Sequence, residues 1–553
     1  MSLQISGRKL LLLSATVLVT VLYYLPGSRF HGLESRQSTD SISHSRIEHA
    51  AKRNSPVTCP TQPEALDIGA DWLTATDTGY HPLAYERLAG AIKIRTETFD
   101  DMPLNASDPR FDVFYDLEAY LRSSFPLFHN ALKFERVNVH GLLFTWDGVN
   151  PSLKPMLLMA HQDVVPVNPS TWKLWTHPPF DAYKDEDNWI WGRGTTDMKS
   201  TLISLLSATE RLLEEGFQPE RTVLFSFGFD EEIGGERGAM ELSAVLRQRY
   251  GHHGISLIVD EGFTGVDTEY DQSFARIGMA EKGCFSVKIS VATPGGHSSV
   301  PPHHTGIGIM SRLIVEMENN PSKLSLNAGN PLLGYLECVA EHGHMEESFK
   351  DKVRETESWP DLVDQMSTDR TMAAFMGTTQ AVDIINGGIK YNALPELVTS
   401  ITNYRIDFLD SSTQVLDSLI KLLRPVVESM NMTFSALGSH PDLDTNVVKL
   451  DVFGRILEPA PITPDNGPAF ELMAGTIKHL FPGTVVAPSG MIAFTDTQHY
   501  WDVSTHIYRF VPASLNQVKN YHTVNERIHF DAHLSTVRFF YKLLHNSAGW
   551  KSE

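Results

Sequence analysis

The sequence predicts an α/β protein that carries a second, α+β domain, and three observations lead there. First, three short, continuously apolar runs each end in a polar cluster. Met156–Ala160 runs into His161-Gln162-Asp163, Thr222–Phe227 into Asp230-Glu231-Glu232, and Ile255–Val259 into Asp260-Glu261-Gly262. Runs of this length and composition predict strands buried on both faces, as in a parallel sheet. Second, helical stretches separate them. Leu202, Leu205, Leu206, Leu212 and Leu213 share one side of a helix from about Met198 to Glu215, and Met240, Leu242, Val245 and Leu246 mark another that ends near Tyr250-Gly251. Strand and helix in alternation make an α/β sheet, whose sites form beyond the C-terminal ends of the strands. Third, the pattern changes after about Gly283. Phe285–Ala292 largely alternates apolar and polar residues, Val398–Phe408 reads as a further strand, and Val415, Leu416, Leu419, Ile420, Leu422 and Leu423 form the apolar face of a helix.

The length of 553 residues fits two domains with accessory segments. A hydrophobic content of 42% excludes global disorder, and a formal charge of -21 argues against nucleic acid as a partner. None of Cys59, Cys284 and Cys338 stands in a CxxC pair, so a thiolate zinc site is not expected. Cys284 and Cys338 read as buried apolar residues. The alternative, in an oxidising compartment, is one disulfide with one thiol left over.

Arg8 and Lys9 precede an apolar run from Leu10 to Leu25, and the exit through Tyr23-Tyr24-Leu25-Pro26-Gly27 has no clear cleavage pattern. We therefore expect an uncleaved signal anchor over residues 1–25, with a cleaved signal and secretion as the alternative. Residues 26–58 read as a flexible stem. The sequons Asn105-Ala106-Ser107 and Asn431-Met432-Thr433 suit a luminal, glycosylated body.

The polar clusters have the makings of a metal site. His161 and Asp163 end one strand, Asp197 opens the next helix, Glu231-Glu232 ends another strand, Asp260 ends a third, and His522 stands late in the chain in Tyr521-His-Thr-Val-Asn-Glu526. A lone surface carboxylate is usually just solvated, and a strand-end histidine is usually a satisfied core residue. Three apolar strands that all terminate in Asp or Glu have no structural need to do so. Imidazole and carboxylate ligands suit zinc, and two histidines with three carboxylates can hold two metals about 3.5–4 Å apart. A further carboxylate must then act as base, and Glu231 stands beside Glu232 for that task.

The motifs His161-Gln-Asp-Val-Val-Pro, Trp191-Gly-Arg-Gly-Thr-Thr-Asp-Met-Lys, Phe229-Asp-Glu-Glu-Ile-Gly-Gly, Val259-Asp-Glu-Gly and Pro294-Gly-Gly-His-Ser-Ser-Val-Pro-Pro carry a resemblance. From Cys59 onward the chain resembles the aminoacylase/carboxypeptidase family of dinuclear zinc metallopeptidases, and within it the fungal vacuolar Gly-Xaa carboxypeptidase branch. The resemblance implies a catalytic domain with a central mixed sheet flanked by helices (residues 59–282 and 438–546) and an inserted α+β lid (residues 283–437). The irregular stretch from about Asn320 to Met376 would elaborate the lid. The resemblance also implies two zinc ions, one on His161 and Asp260, the other on Glu232 and His522, with Asp197 bridging. Asp163 would hydrogen-bond the far nitrogen of His161. Glu231 would deprotonate the bridging water and later protonate the leaving amine. His297 would stabilise the oxyanion, Asn392 and Arg405 would bind the substrate carboxylate, and Gly490 with Thr495-Asp496 would flank that pocket. Gln498 stands where many relatives have Arg.

The resemblance further implies hydrolysis of the amide bond before the C-terminal residue of a short, Gly-Xaa-type peptide. An N-acyl amino acid with a free carboxylate is the alternative substrate. The expected location is the vacuole lumen, with the chain tethered to the membrane. In dimeric relatives the lid histidine serves the partner's site, so a homodimer is one arrangement the resemblance allows. His252-His253, His303-His304 and His342-Gly-His344 read as solvated loops. No HExxH, GxSxG, Walker A or GxGxxG sequence stands in a convincing context, so rival catalytic classes have no anchor.

Overall fold

The computed structural model describes residues 58–550 apart from 263–264 and 441–443. The anchor expected over residues 1–25, and all but the last residue of the stem, lie outside the described residues. Among the described ones, no helix is long and apolar enough to cross a membrane.

The three apolar runs are neighbouring parallel strands. Val223–Gly228 pairs with Met156–His161, which pairs with Leu257–Asp260, and Ile507–Arg509 continues the parallel set. Burial on both faces follows from the alternation of side chains along a strand. Met156, Leu158 and Ala160 join one core with the helices Lys199–Glu214 and Phe530–Ser547, while Leu157 and Met159 join another with the helix Ala239–Tyr250. Gly141–Trp146 and Lys133–Val137 add antiparallel strands at one edge. Gln272–Glu281, antiparallel to Ile507–Arg509, and Val485–Met491 extend the other. The result is a nine-stranded mixed sheet covered by helices on both faces. Chain beyond the lid supplies two of its strands and the helix Phe530–Ser547, so the polypeptide returns to the first domain.

The lid is a five-stranded sheet in the order Thr379–Gly387, Leu397–Ile406, Gly283–Ala292, Val447–Leu457, Thr433–Ala436. Phe285, Val287, Ile289 and Val291 bury one face under the helices Gly306–Asn319 and Ser412–Ser429. The strand Val447–Leu457 pairs with Gly283–Ala292 over most of its length, so the lid sheet runs past the expected boundary at residue 437.

Two other expectations need correction. The stretch from Asn320 to Met376 is helical, and it packs on the catalytic sheet rather than elaborating the lid. Leu332, Leu333, Leu336 and Val339 of the helix Pro331–His342 share a core with Phe274, Val485 and Ala487 from two edge strands of that sheet. Cys338, on the same helix, is no inert core thiol: it forms a disulfide with Cys59. Cys284 is the free cysteine, and it is only half-buried, on the lid sheet opposite Arg405.

Candidate metal centre and substrate face

His161 is the last residue of its strand, and the turn Glu231–Ile233 follows the neighbouring strand, so both project from the C-terminal edge of the parallel set. A small sheet brings in the remaining ligand candidates. Trp189–Trp191 pairs with Arg527–His529, which sets the loop carrying Asp197 beside the loop carrying His522. Asp197 then stands between two imidazoles. Its Oδ1 lies 3.0 Å from His161 Nε2 and its Oδ2 lies 2.8 Å from His522 Nε2. Glu232 Oε2 is 3.3 Å from His522 Nε2, and Glu261 Oε1 is 3.8 Å from His161 Nε2.

Three overlapping triplets result, His161–Asp197–Glu261, Asp197–Glu232–His522 and His161–Glu231–Glu232. Within each, one donor atom per residue lies within 4.8 Å of the others. The first two share Asp197, the arrangement a bridging carboxylate requires. Asp260 was expected in the first triplet, and the geometry puts Glu261 there instead. Asp260 is the final residue of a buried strand, is 3% exposed, and has an Oδ2 without a partner. Glu261 is the first residue past that strand, where the backbone is free to turn its side chain toward His161.

Asp163 braces the cluster. His161 Nδ1 lies 3.0 Å from the Asp163 carbonyl oxygen and 3.3 Å from its Oδ1. The Asp163 carboxylate accepts the backbone N–H groups of Glu231 and Glu232, at 3.1 Å each, and the Thr98 hydroxyl at 2.8 Å. A single buried carboxylate thus orients the first histidine and fixes the turn that carries both glutamates. Glu232 is held further by the Val165 N–H, which donates to its Oε1 at 3.1 Å. Lys199 serves elsewhere: fully buried, it donates to the Ala91 and Ile94 carbonyl oxygens, and burial pushes its pKa down to about 7.

Burial, with repulsion from Glu261, raises the Glu231 carboxyl well above its usual range. Burial and the proximity of Asp197 do the same to Glu261, and push Glu232 up to about 7. Burial alone would raise Asp197 too, but hydrogen bonds from His161 and His522 outweigh it and hold that carboxyl below the usual range. The contact with Asp197 raises His522 to about 10.

On the lid, the alternation that buries Tyr404 and Ile406 under helices turns Arg405 to the opposite face. Its guanidinium carbon lies 5.1 Å from the ring centre of Phe494 in the catalytic domain. Arg455, also on the lid, donates to the Gln498 side-chain oxygen. Thr495, three residues earlier, donates to Glu281 at 2.6 Å, and Glu281 is ion-paired with Arg509 at 2.9 Å. Gly490 has a packing reason to be glycine: a Cβ there would lie 2.3 Å from the Phe408 ring. His297 and Asn392 come together on a ribbon in which Gly296–His297 pairs with Ala393–Leu394, and the Ser298 N–H donates to the Asn392 carbonyl at 3.3 Å. Gly295 and Gly296, at φ of 67° and 137°, make the turn that presents His297 to solvent. His297 Nδ1 lies 2.7 Å from the Ser299 hydroxyl, and the ring forms no ion pair or hydrogen bond with the metal-type cluster among the described residues.

The family model for Peptidase family M20/M25/M40 matches residues 157–546. The chain belongs to this family. Carboxypeptidase S of Saccharomyces cerevisiae is 38% identical over 532 residues, which cover 91% of this chain and 92% of that protein. The N-fatty-acyl-amino acid synthase/hydrolase PM20D1 of Bos taurus is 32% identical, covering 83% and 87%. Among solved structures, the M20 family metallo-carboxypeptidase Sso-CP2 of Sulfolobus solfataricus matches with a TM-score of 0.58 at 16% identity, over 84% of this chain and 99% of that one. Human carnosine dipeptidase 1 matches with the same score at 13% identity, over 86% and 99%. At these identities the two structures speak for the fold alone.

As an M20 family member the chain is a metallopeptidase, a hydrolase that depends on bound metal. Its donor set fits that requirement. Glu231, Glu232, Glu261 and Asp197 converge with two imidazoles, and among the described residues no lysine or arginine forms an ion pair with any of them. Several carboxylates gathered out of water repel one another and lose hydration, a cost that divalent cations remove.

Proposed function

We propose that this M20 metallopeptidase is a two-zinc exopeptidase, which hydrolyses the amide bond before the C-terminal residue of short peptides, Gly-Xaa dipeptides among them. The sharing of Asp197 by two ligand triplets carries the reading. One zinc would be held by His161, Asp197 and Glu261, the other by Asp197, Glu232 and His522. Bound there, the pair would polarise the scissile carbonyl and acidify the attacking water.

The protein's own groups do the rest. Glu231 groups with His161 and Glu232 but belongs to neither triplet that shares Asp197, and burial raises its proton affinity. It takes the proton of the attacking water and passes it to the departing amine. Arg405 and Asn392 bind the α-carboxylate, the guanidinium through paired N–H bonds. His297 donates to the oxyanion once the ribbon meets the substrate.

A second reading has its own support, the 32% identity to PM20D1 over most of both chains: the substrate would be an N-acyl amino acid, whose carboxylate lies on the same side of the scissile bond. Both readings place the protein in the secretory pathway, with the N-terminal apolar run as membrane anchor and the vacuole lumen as destination. The Cys59–Cys338 disulfide suits an oxidising compartment, and both sequon asparagines, Asn105 and Asn431, are exposed.

The test compares a glycyl-leucine substrate with its C-terminal amide, on the wild type and on Arg405→Ala. Losing the carboxylate leaves Arg405 unpaired, at about 2–5 kcal/mol, so the amide should react some ~30- to several-thousand-fold more slowly in kcat/KM. Arg405→Ala should lose as much on the acid and little more on the amide, because both changes delete one contact. Equal rates for acid and amide on the wild type would contradict carboxylate recognition. An N-lauroyl amino acid assayed alongside decides between peptide and acyl substrates.

A further inference from the structure

Glu526 is fully buried and belongs to none of the ligand triplets. It lies four residues beyond His522, next to Arg527, which pairs with Trp191 across the small sheet. Both of its carboxylate oxygens are engaged. Oε2 is ion-paired with Arg193, whose side chain is itself nearly inaccessible. Oε1 accepts the Thr196 N–H at 2.9 Å, the Thr196 hydroxyl at 2.8 Å and, more weakly, the Asp197 N–H at 3.4 Å. Its backbone carbonyl accepts the Gly192 N–H at 2.9 Å. Every one of these donors lies in the six-residue segment Gly192–Asp197, the loop that delivers the shared carboxylate.

The two loops of the metal centre therefore close on one side chain. Asp197 ends a segment whose backbone is fixed by Glu526, and His522 stands one turn before Glu526 on the other loop. The His522 ring is about half exposed, so packing against a core does not set its position. A carboxylate that needs to offset only Arg193 has no reason to spend its second oxygen on Thr196 and Asp197. Such an oxygen holds the Asp197 turn at a set distance from the His522 loop, and metal affinity depends on ligands held in place before the ion arrives.

We propose that Glu526 is the positioning residue of the metal centre, clamping the Asp197 loop to the His522 loop so that both zinc ions find a preformed site. The inference rests on the reading that Asp197 and His522 hold metal.

The experiment measures zinc affinity of the full-length, metal-stripped protein by competition with a chromophoric chelator, beside its melting temperature without metal. Glu526→Asp keeps the charge opposite Arg193 but, one methylene shorter, cannot span both Arg193 and the Asp197 turn. Glu526→Gln keeps the length and loses the charge. Each should weaken zinc binding by about 10–100-fold, the usual effect of removing a partner that orients a ligand. With Glu526→Asp the metal-free melting temperature should change little, so that weaker zinc binding reports the lost tie to the Asp197 turn and not lost folding. If Glu526→Gln fails to fold, Thr196→Val decides: it deletes one donor to Oε1, leaves the Arg193 pair intact, and should weaken zinc binding in the same direction. Unchanged zinc affinity in the folded variants overturns the clamp while leaving the metal centre standing. A wild type that takes up no zinc removes the metal centre, and the clamp with it.

Discussion

Glu231 and Glu232 are adjacent in sequence, yet the fold gives them different surroundings. Glu232 is oriented by the Val165 N–H, faces His522 and sits in a triplet that contains Asp197, whereas Glu231 groups only with His161 and Glu232 and belongs to neither of the triplets that share Asp197. Glu231→Gln should therefore lower turnover by at least about 10²–10⁴-fold while the purified protein keeps its full zinc content. Zinc lost together with activity would show that the two roles are exchanged. A second residue-scale test concerns the strand end at Asp260-Glu261. Glu261→Ala should release one of two zinc ions and Asp260→Asn should keep both, as read by metal analysis of the two proteins; the reverse pattern would return the ligand role to Asp260. The candidate site was largely legible in the sequence because His161, Asp197, Glu232 and His522 each stand in a distinctive motif. The choice between Asp260 and Glu261 was not, since it turns on where a strand stops, and a shift of one residue sends a side chain to the opposite face. Glu526 escaped for a related reason: nothing local distinguishes a buried clamp from a solvated glutamate when its partners lie more than 300 residues away.

At the scale of elements, alternation of apolar residues decided most of what could be read. Continuous apolar runs marked strands buried on both sides, and the alternating run from Phe285 to Ala292 marked a strand with one open face. The stretch from Asn320 to Met376 resisted because the helix Pro331–His342 is buried nearly all round, and the three α-helices after it are only six to eight residues long and bury two residues at most. Their partner, the edge of the catalytic sheet, is contributed by strands distant in sequence. The ribbon that carries His297 and Asn392 illustrates the same limit: its two strands have two residues each and pair across about 96 positions. That ribbon belongs to the lid and presents His297 without a tie to the metal cluster. His297→Ala should accordingly leave zinc content unchanged and lower kcat by about 10²–10³-fold, the worth of one oxyanion donor. An effect confined to KM would remove the histidine from the chemical step.

For the whole molecule, the parallel strands carry the candidate metal centre at their C-terminal edge and the lid packs against the domain that holds it. Arg405 against Phe494, Arg455 against Gln498 and Phe408 against Gly490 are among the points where the two meet. The Cys59–Cys338 disulfide ties the start of the described chain to the helical layer on the sheet edge, across 279 residues. Closing so long a loop restricts the unfolded chain and favours the folded one. The candidate centre gathers several carboxylates with two imidazoles, a donor set that suits divalent cations. Zinc content of the purified wild-type protein, determined by elemental analysis after removal of loosely bound metal, tests that centre most directly. Two triplets that share Asp197 predict two zinc ions per chain, and a chain that retains one ion or none would contradict the shared-carboxylate site.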